Sequence, residues 1–305
     1  MFSGFGVMTA LISKGVIGVM MGMEIAFFGV IPLMLLSGIK KPNNLNEAEA
    51  ALVYFLFQSM GSMFLFLSLV LVIFSRFQFA FVWLMFILGV ALKLGIFPFH
   101  TWVVTVSGLS SWLGILFVLV LMKLAPYWML SGLGLPLFTV IVLVVLSCIT
   151  TMLGSIAACN QSTLRGVLGY SSLSQSGFMM SLSLVNVYYY LWYFMVYSII
   201  MCVLLISCWR KSSALMVMSL LASLSGVPPL MGMYMKFGGL YCLSGVSISL
   251  CVFLMLWSLF GFFYYFNALI EIFYSNPEVG KKDWGLIMSN VFLGPVVFIG
   301  LAPMM

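Results

Sequence analysis

Charge is what this sequence has least of. Twelve Lys and Arg and six Asp and Glu are spread over 305 residues, too few to coat the surface of a water-soluble fold. There is a single histidine, His100, which excludes a multi-histidine haem or metal site within the chain. The six cysteines (Cys148, Cys159, Cys202, Cys208, Cys242, Cys251) show no CxxC or Cys/His spacing, so neither a metal site nor a disulfide framework is expected. A thiol inside an apolar run is ordinarily a small hydrophobic filler. A phosphate-binding loop is also missing. The stretch "LSGLGLPL" (130–137) has glycines but no adjoining strand or phosphate-binding lysine, so no nucleotide is expected here. The N-terminus shows no basic flank followed by a cleavage site, and no removable signal peptide is expected.

What is present is hydrocarbon. Hydrophobic residues make up 64% of the chain and the mean hydropathy is +1.25. A spanning helix needs about 20 predominantly apolar residues, and runs of that kind, about eleven of them, fill nearly the whole sequence. They lie near 1–13, 15–38, 48–73, 78–98, 108–129, 133–157, 161–183, 187–208, 213–244, 246–271 and 286–303. None alternates apolar with polar residues as barrel strands do. The expected fold is all-α: one polytopic membrane domain over 1–305, with half-repeats near 1–130 and 131–271 and a last helix at 286–303. The first run reaches only about 20 Å as a helix against a hydrocarbon core of about 30 Å. Either it thins the bilayer locally or it continues a segment that starts upstream.

Loop charges give an orientation. Numbering the connections in order, the N-terminus and the even-numbered loops collect Lys40, Lys41, Arg165, Arg210, Lys211, Lys281 and Lys282, whereas the other side has Lys14 and Arg76. That bias puts the N-terminus on the cytoplasmic or matrix face and the C-terminus opposite. A basic balance explained by loops requires no nucleic-acid partner. Glu47, Glu49, Glu271, Glu278 and Asp283 fall on the same face and are expected in solvated loops.

Apart from Glu49, Arg165 and Glu271, which fall towards run ends and are counted with the loops, four charged residues stay within the runs: Glu24, Lys93, Lys123 and Lys236. A charge at mid-bilayer costs about 2.5–3.5 kcal/mol on insertion scales and by default marks an ion or substrate route. A lysine near a helix end can instead snorkel to the headgroups; the short side chain of Glu24 cannot. Two of the lysines stand beside helix breakers, each in a K-x-G triplet, "KLG" (93–95) and "KFGG" (236–239). Lys93 precedes Gly95 and Pro98 in "GVALKLGIFPFHTWV" (89–103), and Lys236 follows Pro228 and Pro229 in "SGVPPLMG" (225–232). Proline removes a backbone donor, and freed backbone at membrane depth is tolerated only against protein or a water-filled cavity. The expectation is that each break admits water to its lysine. Paired interrupted segments in corresponding halves are the mark of repeat-built transporters.

These residues, in this order, resemble the antiporter-like subunits of respiratory complex I, in particular the mitochondrially encoded chain 2 family of NADH-ubiquinone oxidoreductase. The resemblance is carried by "MGMEIAFFGVIPLM" (21–34) around the glutamate, "NEAEAALVYFLFQS" (46–59), "LKLGIFPFHTW" (92–102) and "MKLAP" (122–126). It continues through "NQSTLRGVLGYSSLSQSGF" (160–178) and "SGVPPLMGMYMKF" (225–237), with weaker likeness to the end. Where the family has a lysine, a Pro-Glu pair, a histidine and a tryptophan, this chain has Val53, Val104–Thr105, Gln175 and Phe178. Any role of the missing lysine, glutamate and histidine is not carried over.

The resemblance implies a membrane-arm subunit of the mitochondrial inner membrane, translocating protons beside other membrane-arm subunits and lipid. The chain itself is then expected to hold no cofactor, with NADH, FMN, iron–sulfur clusters and ubiquinone in other subunits. The implied relay pairs Glu24 with Lys93, passes through Lys123 with His100 as a side station, and ends at Lys236. Two alternatives are a structural subunit that pumps nothing and a stand-alone cation/proton antiporter. The second needs further membrane acids, and apart from Glu49 and Glu271 at run ends Glu24 is the only one within the runs.

Overall fold

The computed structural model describes residues 2–39, 44–74, 79–210 and 212–275, together with the isolated positions 288, 290, 291 and 295. Among the described residues the chain is all-α. The helices are α1 (Phe2–Ile12), α2 (Val16–Ile39), α3 (Asn44–Phe74), α4 (Phe79–Leu94), α5 (Thr101–Leu109), α6 (Trp112–Leu116) and α7 (Met122–Gly132). They continue with α8 (Leu137–Cys159), α9 (Leu164–Val185), α10 (Val187–Trp209), α11 (Ala214–Ser225), α12 (Met231–Ser244) and α13 (Ile248–Ser275). Six helical stretches are long and apolar enough to cross a membrane: Val16–Leu36, Leu45–Ile73, Trp112–Gly132, Leu137–Cys159, Val187–Trp209 and Ile248–Tyr274. The outward faces carry large apolar side chains such as Leu137, Ile248 and Phe263, as a lipid-facing surface does.

The helices missing from that group are missing for identifiable reasons. α9 has full length, but its serines lower its hydropathy, and it is the buried centre of the bundle. Sixteen of its 22 residues are buried, and it packs against α5, α7, α8, α10, α12 and α13. Its hydroxyls are tolerated because each turns back on its own helix, as Ser172 Oγ does to the Gly169 carbonyl at 2.7 Å and Ser176 Oγ to Leu173 at 2.6 Å. The helices α4 and α5, and likewise α11 and α12, are short and joined by loops of a few residues. Each first piece ends at a glycine with positive φ, Gly95 (68°) and Gly226 (94°), and each loop contains a cis X–Pro bond, Phe97–Pro98 and Pro228–Pro229.

Three sequence expectations are corrected here. The run at 78–98 leaves 99–107 unassigned, yet Thr101–Leu109 is a helix of its own. The two "K-x-G" triplets are not alike: Gly95 is the break itself, whereas Gly238 lies buried inside α12 and Lys236 comes after its break rather than before it. Glu47 is not in a solvated loop; it is buried in the first turn of α3, where a carboxylate suits the helix dipole. Glu278, Asp283, Lys40, Lys41, Arg76, Lys211, Lys281 and Lys282 lie outside the described residues, as does the 286–303 run apart from four positions.

α1 is 11 residues long, and what holds it is α2 rather than length. Small residues line the contact, so that the backbones touch: a Cβ on Gly6 would stand 2.7 Å from the Ala26 Cα, and one on Gly22 would stand 2.5 Å from the Ala10 nitrogen. Close approach of this kind is how helices associate where lipid removes the hydrophobic driving force. A Cβ on Gly4, in the same helix, would meet nothing within 4 Å. Gly22→Val is therefore expected to destabilise the α1–α2 pair by about 1–3 kcal/mol, the usual effect of overpacking, and Gly4→Val to be neutral. Thermal unfolding of the purified complex followed by loss of this subunit distinguishes the two.

Candidate functional site

One face of α3 builds the first half of the site. Tyr54, Gln58, Gly61 and Leu65 succeed one another at helical spacing and each meets α2 or α4. The Lys93 ammonium donates to Glu24 Oε1 at 2.6 Å, with side-chain exposures of 3% and 19%. Gly61 makes room for the lysine stem, since a Cβ there would stand 2.8 Å from Lys93 Cγ. Tyr54 lies beside Glu24 with its hydroxyl buried and without a hydrogen-bond partner. Its ring is 5.9 Å from that of Trp102.

The break after Lys93 is closed by protein. The helix-terminal carbonyls, which would otherwise need water, find named donors. Ile96 N–H donates to Ala91 at 2.9 Å, the Trp102 indole to Leu92 at 3.1 Å, and the Gln58 amide to Lys93 at 3.1 Å. At this break protein donors, one of them backbone, engage the Ala91, Leu92 and Lys93 carbonyls. Beyond it, His100 stands at the N-cap position of α5 without a side-chain capping bond, stacks on Phe97 at 6.3 Å, and leaves Nδ1 buried and unpartnered.

Lys123 is placed by a different irregularity. Residues Phe117–Leu121 form a π-helical segment, closed by a Met122 N–H bond to the Phe117 carbonyl. Pro126 sits one turn later inside α7. Its ring crowds the Met122 carbonyl and cannot return the i→i−4 bond, and a widened turn relieves that conflict. Lys123 and Tyr127, one turn apart, then donate to the Ser172 and Ser176 carbonyls, also one turn apart, at 2.8 and 2.9 Å. Lys123 is 4% exposed.

Lys236 is held at the second break. Its ammonium donates to the Ser225 carbonyl at 2.5 Å, at the negative end of α11. Gly226 is needed twice there: its φ of 94° is left-handed, and a side chain would press on Lys236 Cδ at 3.1 Å. The lysine looks into a cavity of about 510 Å³ whose walls include Leu240, Met255 and Phe262.

Of the expected relay residues, then, Glu24 and Lys93 touch, while His100, Lys123 and Lys236 have other neighbours. Sequence reasoning missed two groups. Gln58 and Tyr54 are signalled only as polar residues four apart in an apolar run. The other is a cluster of buried tyrosines: Tyr127 of α7, Tyr190, Tyr193 and Tyr197 of α10, and Tyr264 and Tyr265 of α13, none more than 3% exposed. Tyr193 donates to Gln175 Oε1, and its ring lies parallel to that of Phe178 at 6.1 Å. Two positions that depart from the family pattern are thereby tied to one tyrosine.

The chain has relatives among known proteins. Residues 13–213 match the family described as NADH:quinone oxidoreductase/Mrp antiporter, transmembrane. The chain is 31% identical to NADH-ubiquinone oxidoreductase chain 2 of Metachirus nudicaudatus, covering 94% of this chain and 89% of that one. It is 28% identical to the chain 2 of Albinaria caerulea, covering 96% and 95%. Two solved structures share the fold. A chain of the Mrp complex of Dietzia sp. DQ12-45-1b superposes with a TM-score of 0.74 at 16% identity, over 88% of this chain and 58% of that one. A chain of the membrane-bound sulfane sulfur reductase, an archaeal respiratory complex, gives 0.77 at 12% identity, over 98% and 71%. The chain belongs to the NADH-ubiquinone oxidoreductase chain 2 family of antiporter-like membrane proteins.

Proposed function

We propose that this chain is a membrane-arm subunit of mitochondrial complex I whose Glu24–Lys93 pair switches a proton relay. The 2.6 Å contact between the two is the observation that carries the reading. Inside a low-dielectric bundle an ammonium is stable when a carboxylate faces it, and removing the carboxylate exposes it to the full desolvation penalty. Glu24 is the more exposed partner, so a neighbouring subunit acting on α2 reaches the anion and leaves the cation enclosed. Drawn away, Glu24 releases Lys93 to give up its proton. The proton passes towards Lys123, with His100 beside the route, and leaves from Lys236. The amines return to their starting state when protons are taken up again. No redox step occurs in this chain; NADH, FMN, iron–sulfur and ubiquinone chemistry belong to other subunits.

Joined across their loops, α4/α5 and α11/α12 each make one interrupted span, and α6 with α7 makes another continuous one. Ten spans result among the described residues, with halves meeting near residue 130; the apolar run at 286–303, the eleventh by sequence, lies outside them. The loop charges support an N-terminus in the matrix and a C-terminus in the intermembrane space.

Two outcomes test the pair. Lys93→Met keeps the bulk of the stem and removes the carrier. The complex is expected to assemble and to oxidise NADH with an artificial acceptor normally, while proton-coupled quinone reduction falls roughly 100-fold, within the range a positioned proton carrier supplies. Unchanged pumping in the assembled variant would support a purely structural subunit.

Glu24→Gln leaves a buried ammonium unpaired, which is expected to destabilise the subunit by about 3–5 kcal/mol. Adding Lys93→Met to Glu24→Gln removes the orphaned charge and is expected to restore thermal stability without restoring pumping. A double variant less stable than Glu24→Gln alone shows that the two side chains act independently.

A further inference from the structure

The cavity at Lys236 is apolar, yet it is built around a charge. About 510 Å³ of space lies between α12 and α13, walled by Phe237, Leu240, Val252, Met255, Leu259 and Phe262. Among the described residues that line it, Lys236 alone is charged. The ammonium stands in the wall itself. It donates to the carbonyl of Ser225, a residue of the same lining, and Nζ lies 3.4 Å from where a Cβ on Gly226 would stand. An ammonium has three N–H bonds to give, and the Ser225 carbonyl takes one. A carbonyl dipole is a weak counterpart for a charge held away from water, where ions are stable when paired. Lys93 has Glu24 for that purpose; beside Lys236 the described residues leave room instead.

The way in is through hydrocarbon. Phe237 and Tyr241 of α12 and Val252, Met255 and Leu259 of α13 line the cavity and are all exposed, as the outward-facing Ile248 and Phe263 are. A ligand arriving there needs an apolar body. Its head is set by what the walls can give. The Ser244 and Ser258 hydroxyls are turned back on their own helices, donating to the Tyr241 and Met255 carbonyls at 2.7 and 2.8 Å. That leaves the ammonium as the one charged donor, and the head that only accepts and carries the opposite charge is a carboxylate. The volume falls in the ordinary range for small-molecule sites, about 300–1,000 Å³. At about 30 Å³ for each water-sized group it holds one long alkyl chain with its head, and not the two chains of a phospholipid.

We propose that this cavity binds a long-chain carboxylate from the lipid phase, its head on the Lys236 ammonium and its alkyl chain between α12 and α13. The site itself needs only the cavity and the charge. Its consequence rests on the relay reading above. With the carboxylate in place Lys236 gains an anion of its own, as Lys93 has in Glu24, and an ammonium so paired keeps its proton. An occupied site therefore holds the exit of the relay closed. The ligand is bound and released unchanged.

The probe is palmitic acid carrying a diazirine in its chain, photolysed in the purified complex, beside its methyl ester, which has the chain without the charge. In the native complex the acid is expected to label α12 and α13 roughly tenfold more than the ester, at the lower edge of what a hydrogen bond to a charged group contributes. Lys236→Met is expected to abolish that preference and Lys236→Arg to keep it. Equal labelling by acid and ester in the native complex is partition into lipid only and overturns the site. Label confined to other helices or to a neighbouring subunit overturns it too, since protein then fills the cavity. Unlabelled oleate is expected to displace the probe; displacement by dioleoylphosphatidylglycerol and not by oleate overturns the ligand class. Should Lys236→Met fail to assemble, the native ratio of acid to ester still decides. Proton-coupled quinone reduction is read on the same samples, with NADH oxidation by an artificial acceptor as control. Labelling with a fall in coupled turnover supports the site and its consequence; labelling without one supports the site and overturns the consequence. Lys93→Met reports on the relay separately: if pumping survives it, the relay reading falls while the site, read by labelling, stands.

Discussion

A charge inside hydrocarbon must be neutralised where it stands, and the whole bundle is arranged around how three lysines meet that condition. Lys93 meets it with an acid. Lys123 and Lys236 meet it with backbone carbonyls, Ser172 and Ser225, which are dipoles rather than anions. The difference divides the labour. A carboxylate can be pulled away by a neighbour and so can switch its lysine; a carbonyl fixed in a helix cannot leave. In the proposed relay, an electrostatic signal therefore enters at the Glu24–Lys93 pair.

The backbone irregularities arise from the same condition. A carbonyl inside a regular helix is already engaged once and has to be shared with a lysine, as Ser172 of α9 is with Lys123. Ending α11 at Gly226 frees the Ser225 carbonyl for Lys236. At the other break the logic is reversed: α4 ends, but Trp102 and Gln58 occupy its carbonyls, so Lys93 is directed to Glu24. Similar punctuation by glycine and proline thus serves opposite ends, and only the surrounding donors decide which.

This is also where the sequence was legible and where it was not. The lipid environment, the apolar runs and the four intramembrane charges could be read directly, because each is a property of composition along the chain. The Glu24–Lys93 contact was an expectation from family likeness, and the structure places the two atoms together. What could not be read were relations across helices. Nothing in "KLG" and "KFGG" says that one glycine breaks a helix and the other lies within one. Pro126 is visible, yet the π-helical turn that answers it depends on which carbonyls the neighbouring helices leave free. Val53 and Gln175 register as departures from a pattern, but that Gln175 accepts a bond from Tyr193 requires α9 and α10 side by side.

The π-helical segment has one more implication. Each residue of an α-helix turns the chain by about 100°, so a five-residue π stretch works as an angular offset between the helix before it and the helix after it. Before it, α6 sets Gly114 against Met34 of α2; after it, α7 aims Lys123 at α9. The two aims are held at a set angle to each other, like the ends of a shaft joined by a keyed collar. A lineage that lost one residue here would keep a continuous span and an unaltered composition, yet have its lysine rotated off the polar axis.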